Sequence, residues 1–245
     1  MAPIKISIFN RSTVLKDAEV QAALPALQTQ IHRDFAPVWG IDADLTFVLP
    51  GQPPGPSSWQ LGIFDDSDQA GALGYHDLTQ QGPPLAKVFA HTDILYKAQW
   101  TVTASHELLE MLADPDINLT AMAYAQAGPG LQWLLLYAYE VCDPCEADAL
   151  GYEIGGVLVS DFVFPAWFET FWQTDGAQFD FQKKIRNPFE LAAGGYSSIF
   201  DVSGGTGWGQ FTADESKRAY SARAQVGSRR ERRKTPRRQW LRSAL

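Results

Sequence analysis

Residues 104–116 constrain the fold of this chain more than any other stretch. They read ASHELLEMLADPD, and four apolar residues recur there at helical spacing, namely Leu108, Leu109, Met111 and Leu112. His106 and Glu110 stand four positions apart, so on a helix they share one face about a turn from each other. Glu107 follows His106 at the edge of that face. The pattern predicts a helix that presents an imidazole and two carboxylates side by side.

The residues before this helix alternate between strand and helix patterns. Five apolar or alternating runs predict strands, at residues 3–9, 44–49, 59–65, 71–78 and 87–94. Residues 17–35 instead carry apolar residues at helical spacing. Pro25 is expected to kink or restart that helix, because proline removes a backbone donor. The helix with His106 is expected to begin around Ala98, and the order of elements predicts an α+β fold.

Composition bounds the class of protein. With 245 residues, of which 45% are hydrophobic and 20% charged, the chain can bury a good core in one domain. No apolar run approaches membrane-spanning length, so we expect no membrane partner. The N-terminal residues alternate like a strand and lack a basic-then-apolar signal layout, which favours a cytoplasmic location. Two cysteines are too few for a disulfide framework and suit a reducing compartment.

The charge of the chain changes sign near residue 216. Residues 216–245 hold 11 Lys and Arg and one acid, Glu231, for a net charge of +10. The remaining 9 basic and 27 acidic residues give residues 1–215 a net charge of −18. The break predicts a globular domain over residues 1–215 and a basic C-terminal tail over residues 216–245. Basic runs of this kind bind nucleic acid or acidic surfaces, although a solvated tail without a partner has the same composition.

The motif His106-Glu107-x-x-Glu110, placed after these strands, resembles the HExxH motif of the zincin metallopeptidases. The resemblance covers roughly residues 1–145 and departs from the family at Glu110, where those enzymes carry a second histidine. It implies a zincin-like open mixed sheet, an edge strand above a cleft, and then the metal-binding helix. The alternative is that HELLE is an ordinary surface-helix string that matches the motif by chance.

The resemblance implies that His106 and Glu110 hold a metal and that a third protein ligand joins them. Glu140 is the favoured third ligand, because it follows Glu110 by thirty residues, a spacing that some zincins use for a downstream glutamate. Asp116 lies ten residues after His106, where other zincins place theirs, but Ala113 stands where those families keep a glycine. Asp143, in the same segment as Glu140, is a further alternative.

The resemblance also assigns a base and a substrate-binding strand. Glu107 would be the catalytic base that takes a proton from the attacking water. The segment around Gly74 and Tyr75 would pair with the substrate backbone by β-augmentation, and His76 and His91, on neighbouring predicted strands, would line the cleft.

These roles imply a metal-dependent hydrolase. Zn²⁺ held by three side chains keeps an open position for a water, whose pKa falls to roughly 7. Two carboxylate ligands add negative charge, weaken the metal as a Lewis acid, and favour harder ions such as Mn²⁺ or Ca²⁺. We therefore expect hydrolysis of a peptide-like substrate. The alternatives are a non-catalytic zincin-like protein that keeps the cleft for binding or as architecture, and a protein that binds an anionic partner through residues 216–245.

The later segments add few functional signals. Cys142 and Cys145 follow a predicted strand at residues 131–141, whereas a redox CxxC motif normally opens a helix, so we expect Cys142 in the core and Cys145 to be incidental. Residues 150–164 predict a hairpin around Gly155-Gly156. Residues 121–124 (AMAY) resemble a zincin Met-turn that comes unusually early.

Overall fold

The computed structural model describes most of the chain before the basic tail. The described ranges are residues 2–68, 72–79, 82–128, 131–172, 176–202 and 207–213. The predicted tail, residues 216–245, lies outside these ranges, and its predicted partners therefore stay a prediction from the sequence. None of the helices within the described ranges has the length and hydropathy that crossing a bilayer requires.

A five-stranded mixed sheet, the large sheet, forms the first layer. Its strands are β1 (Ile4–Asn10), β2 (Ala43–Phe47), β3 (Trp59–Phe64), β4 (Gly74–Leu78) and β5 (Pro84–Phe89). In the order β2-β1-β3-β5-β4, the first four are parallel, and β4 runs antiparallel to β5 at the edge. The α+β class and the mixed sheet predicted from the sequence are confirmed.

Four α-helices lie in the same part of the chain as this sheet. They are α1 (Asp17–Thr29), α2 (Ala36–Trp39), α3 (Ala90–Tyr96) and α4 (Trp100–Ala113). Pro25 lies inside α1, which continues past it and passes into a π-helical segment, Gln30–Phe35. The predicted restart at Pro25 is therefore wrong, because the chain stays helical through the proline as far as Trp39.

A second, antiparallel sheet and a short hairpin follow α4. The sheet contains β6 (Thr120–Gly128), β7 (Leu131–Ala138), β10 (Tyr196–Asp201) and β11 (Gly207–Thr212), in the order β11-β10-β7-β6. The hairpin consists of β8 (Tyr152–Ile154) and β9 (Val157–Val159). Its turn residues, Gly155 and Gly156, both have positive φ, as the tight primed turns of hairpins require. The predicted hairpin is confirmed.

Two further predictions about local structure are wrong. The strand predicted over residues 87–94 ends at Phe89, and the chain turns there into α3, because the carbonyl of Asp65 accepts the backbone N–H groups of His91 and Thr92. His91 therefore lies on a helix, with its Nδ1 2.7 Å from Asp66 Oδ1. Residues 121–124 form part of β6 and not a Met-turn, and Met122 is 59% exposed there.

Helix α4 is buried along almost its whole length. Every residue from Val102 to Ala113 is buried, because α4 lies against β4 and β5 of the large sheet on one side and against β9 on another. Ser105 Oγ accepts a hydrogen bond from the backbone N–H of Ser160 (2.6 Å), which ties the helix to the segment after β9. The helix is not a surface helix, so its polar residues need partners inside the protein.

Two buried carboxyls fasten the segment after β9 to the residues that follow it. Asp161 Oδ1 accepts the backbone N–H groups of Phe162 (2.8 Å) and Gln182 (3.1 Å). Asp180 accepts those of Lys184 (2.8 Å) and Ile185 (2.9 Å). Burial raises the pKa of Asp161 to about 8, and the adjacent Asp180 carboxyl adds to that shift. At neutral pH the Asp161 carboxyl is therefore mostly protonated.

Replacing Asp161 should change how stability depends on pH. Between the ordinary pKa of 3.8 and about 8, the folded state binds a proton at Asp161 that the unfolded state releases. The free energy of unfolding of the wild type thus falls as pH rises through this window, by up to about 1.4 kcal/mol per pH unit from this group. Asp161→Asn has no such proton, so the free energy of unfolding of the variant minus that of the wild type should increase from pH 5 to pH 8. Urea unfolding at four pH values measures this difference, with exposed Asp66→Asn as the control; a constant difference would contradict it.

A second prediction concerns Gly74, which lets β4 approach α4. A Cβ at this position would stand 2.8 Å from Glu107 Cγ, 2.8 Å from Thr103 Cγ2 and 2.9 Å from the Lys87 carbonyl oxygen. Gly74→Ala should therefore lower the free energy of unfolding by about 1–3 kcal/mol through overpacking. Gly209→Ala is the matched control in another strand, because its nearest neighbour lies 4.0 Å away. Equal urea midpoints for the two variants would show that β4 can move away from the helix.

Candidate metal centre

Five ionisable side chains converge beside α4, and we call them the cluster. They are His76 on β4, His106, Glu107 and Glu110 on α4, and Asp143 in the turn Asp143–Cys145 after β7. None of these five residues is more than 6% exposed. A buried set of two imidazoles and three carboxylates divides into two groups that share Glu110, and each group has the donor types that bind divalent cations.

The first group, which we call the helix site, consists of His106, Glu110 and Asp143. His106 Nε2 lies 3.3 Å from Glu110 Oε1 and 3.2 Å from Asp143 Oδ1. Glu110 Oε1 also accepts the backbone N–H of Cys142 at 3.3 Å, which ties the turn to the helix. The absence of a side chain at Gly195 lets the backbone pack directly on Pro144 in that turn. The position of Asp143 is thus set by packing on both sides of the turn.

The second group, which we call the strand site, consists of His76, Glu107 and Glu110. His76 Nδ1 lies 3.5 Å from Glu107 Oε2 and 3.8 Å from Glu110 Oε2. On the other side of the ring, His76 Nε2 lies 3.3 Å from the carbonyl oxygen of Asp114. A carbonyl only accepts hydrogen bonds, so Nε2 carries a proton and Nδ1 faces the two carboxylates.

The electrostatics of the helix site favour a positive charge. Burial by itself would lower the pKa of His106, but the charge of Glu110 and the hydrogen bonds to Asp143 and Glu110 raise this pKa well above its usual range. The thiols nearby behave in the opposite way, since burial raises the pKa of Cys142 and of Cys145 well above the ordinary value. Both thiols therefore stay protonated, which argues against a redox role, and the predicted core position of Cys142 is confirmed.

The distances between donor atoms fit a shared cation. Two donors that bind one metal at about 2.1 Å stand about 3.0–3.5 Å apart in tetrahedral or octahedral geometry. The two distances in the helix site fall in this range, and those in the strand site require a contraction of a few tenths of an ångström. The residues present therefore fit a divalent cation. One imidazole with two carboxylates in each group suits Zn²⁺ and Mn²⁺ and does not select between them.

The structure brings together part of the predicted ligand set. His106 and Glu110 meet as predicted, and Asp143 stands beside them. Glu140, the favoured third ligand, is buried but belongs to neither group, and Asp116 is exposed beyond the end of α4. The role of Glu140 as a ligand stays a prediction, and the carboxylate grouped with His106 and Glu110 in the structure is that of Asp143.

The predicted base, Glu107, lies within the strand site beside His76. Gly74 and His76 share the face of β4 that packs on α4, whereas Tyr75 lies on the opposite face, where its ring is tilted against that of Phe89 and its hydroxyl donates to Asp68. Strand β4 does form the edge of the large sheet, as predicted. Tyr75 therefore has no contact with the cluster, and any substrate contact it makes is on the other face.

The grouping of His76 with Glu107 and Glu110 was not predicted from the sequence. Gly74 is the signal that could have indicated this grouping, because residues two apart in a strand share a face, and Gly74 marks the face of β4 that must approach another element closely.

No protein-family model, curated protein or solved structure matches the chain. The likeness to zincins accordingly stays a prediction from the sequence.

Proposed function

We propose that this chain is a metal-dependent hydrolase of zincin-like architecture, with its metal held by His106, Glu110 and Asp143. The observation that carries the proposal is the helix site itself. Two of its buried donors lie on a helix packed beneath an edge strand and the third in the turn after β7, and the distances from His106 to the other two fit one shared cation. Buried carboxylates are costly unless a positive charge compensates them, and a bound cation supplies it.

In this proposal, Glu107 carries out the proton transfers beside the bound metal. A bound divalent cation supplies Lewis-acid polarisation of a water and of a substrate carbonyl. Glu107 precedes Glu110 by three positions, so its carboxylate lies next to the helix site on the side of β4. This carboxylate takes a proton from the attacking water and then donates it to the leaving amine nitrogen, so no net proton is consumed.

The position of β4 at the edge of the large sheet favours a peptide-like substrate. Strand β4 pairs with β5 through one edge, and its other edge is the rim of the large sheet beside the cluster. An extended peptide can add to such an edge through main-chain hydrogen bonds. Gly74 places the backbone of β4 close to Glu107, so a peptide on this edge would lie near the proposed base.

A second candidate function is metal binding without catalysis. The observation that favours it is burial, since the five residues of the cluster are at most 6% exposed. A substrate carbonyl must reach the metal, and this requires movement of the residues that cover the cluster. In this second function the metal stabilises the packing of α4 against β4 and the turn after β7.

Metal content tests the ligand set directly. The full-length chain, incubated with Zn²⁺ or Mn²⁺ and dialysed, should retain metal, and Glu110→Gln and Asp143→Asn should lose the metal of the helix site, because an amide is a far weaker ligand than a carboxylate. Glu140→Gln is the matched control and should retain it, since Glu140 belongs to neither group. Elemental analysis gives the stoichiometry, and circular dichroism checks folding. A wild type without metal, or loss in Glu140→Gln but not in Asp143→Asn, would overturn this assignment.

Glu107→Gln tests the hydrolase and its base. The variant should keep the metal of the helix site and lose hydrolysis of an unfolded protein such as casein by about 100-fold or more, because general-base catalysis contributes about that much. Product amines measured over time give the rate. An unchanged rate would remove Glu107 from the mechanism. A metal-loaded wild type that cleaves neither casein nor a peptide library would instead support metal binding without catalysis.

A further inference from the structure

The strand site has the geometry of a metal site in its own right. Its three donors are His76 Nδ1, Glu107 Oε2 and Glu110 Oε2, and all their mutual distances are within 4.8 Å. All three side chains are buried, on two elements whose separation is set by Gly74. A mixed set of one imidazole and two carboxylates at this spacing is unlike an ordinary acidic surface patch, which is solvated and contains no aligned imidazole.

The orientation of His76 points to the same conclusion. Metal-binding histidines characteristically donate their second N–H to a carbonyl or a carboxylate, which fixes the tautomer and the ring plane. His76 makes this contact through Nε2 to the carbonyl of Asp114 at 3.3 Å. That carbonyl is held in place, because the Asp114 carboxylate accepts the backbone N–H groups of Asn118 and Leu119, each at 3.0 Å. The lone pair of Nδ1 is therefore fixed toward Glu107 and Glu110.

Glu110 links the two sites. Its Oε1 faces His106 at 3.3 Å, and its Oε2 faces His76 at 3.8 Å. A carboxylate that presents one oxygen to each side is the usual bridge in two-metal centres, where the cations stand about 3.5–4 Å apart.

The negative charges of the cluster favour the binding of a second cation. Glu107, Glu110 and Asp143 together carry three negative charges when ionised. One divalent cation in the helix site would balance Glu110 and Asp143, and Glu107 adds a further buried carboxylate beside His76 in the strand site. A second cation there would gain this carboxylate as a ligand, but it shares Glu110 and is repelled by the first, so the strand site binds more weakly.

We propose that the strand site binds a second divalent cation and that Glu110 bridges it to the cation of the helix site. When both sites are filled, Glu107 is a metal ligand and not a base. Under the proposed function, on which this consequence alone rests, hydrolysis is fastest with the helix site filled and declines as added metal fills the strand site.

The test is the metal stoichiometry of the full-length chain, determined by equilibrium dialysis against Mn²⁺ or Zn²⁺ followed by elemental analysis. The wild type should bind two equivalents, one more weakly. His76→Asn and Glu107→Gln should each bind one and keep the tighter site. His91→Gln, which removes an exposed histidine paired with Asp66, is the matched control and should bind two.

Electron paramagnetic resonance supplies a second reading that does not depend on activity. Two Mn²⁺ ions bridged by one carboxylate are magnetically coupled, so the wild type at saturating Mn²⁺ should show a coupled spectrum that is absent from His76→Asn and from Glu107→Gln. A single equivalent in the wild type, or two in both variants, would overturn the second site. Two coupled ions without hydrolysis would overturn only the proposed function, and one ion with hydrolysis would overturn only the second site.

Discussion

Glu110 is a fully buried carboxylate on a helix that is buried along almost its whole length, and much of the fold serves to surround this charge. An ionised carboxylate loses several kcal/mol of hydration in such a place unless other groups replace the water. The backbone N–H of Cys142 and the imidazoles of His106 and His76 are the groups that the structure provides. They come from three separate parts of the chain, so the environment of Glu110 exists only when β4, α4 and the turn after β7 are assembled.

This requirement explains features that otherwise look unrelated. Gly74 brings β4 close enough for His76 to reach α4, and Gly195 lets the later backbone pack on the turn that carries Asp143. Buried ionic clusters rarely improve stability over apolar packing of the same volume. Two close glycine contacts and five buried ionisable side chains in one cluster are therefore not explained by stability alone, and the donor set is one that could hold a divalent cation.

The elements around the cluster could be predicted from the sequence to different extents. The helix with His106, the edge strand and the Gly155-Gly156 hairpin follow from local periodicity and turn chemistry, which depend on neighbours in sequence. The boundary at Phe89 could not be predicted, because the residues after it have apolar side chains at spacings that suit a strand or a helix, and a tertiary hydrogen-bond acceptor, the Asp65 carbonyl, decides between them. The choice between Glu140 and Asp143 has the same origin. Both follow β7, and only the turn tied to Glu110 shows which carboxylate faces the helix.

The departure from HExxH at Glu110 then acquires a physical meaning. An imidazole at this position would offer one lone pair to one cation, and its second nitrogen would need a partner of its own. A carboxylate offers two oxygens in one plane, and here one faces His106 while the other faces His76. A glutamate at this position would make a bound metal a weaker Lewis acid than a histidine would, since it adds negative charge to the metal, yet it lets one residue contribute to both groups of donors. The same residue that makes the motif look degenerate in sequence is the one on which both groups of donors depend.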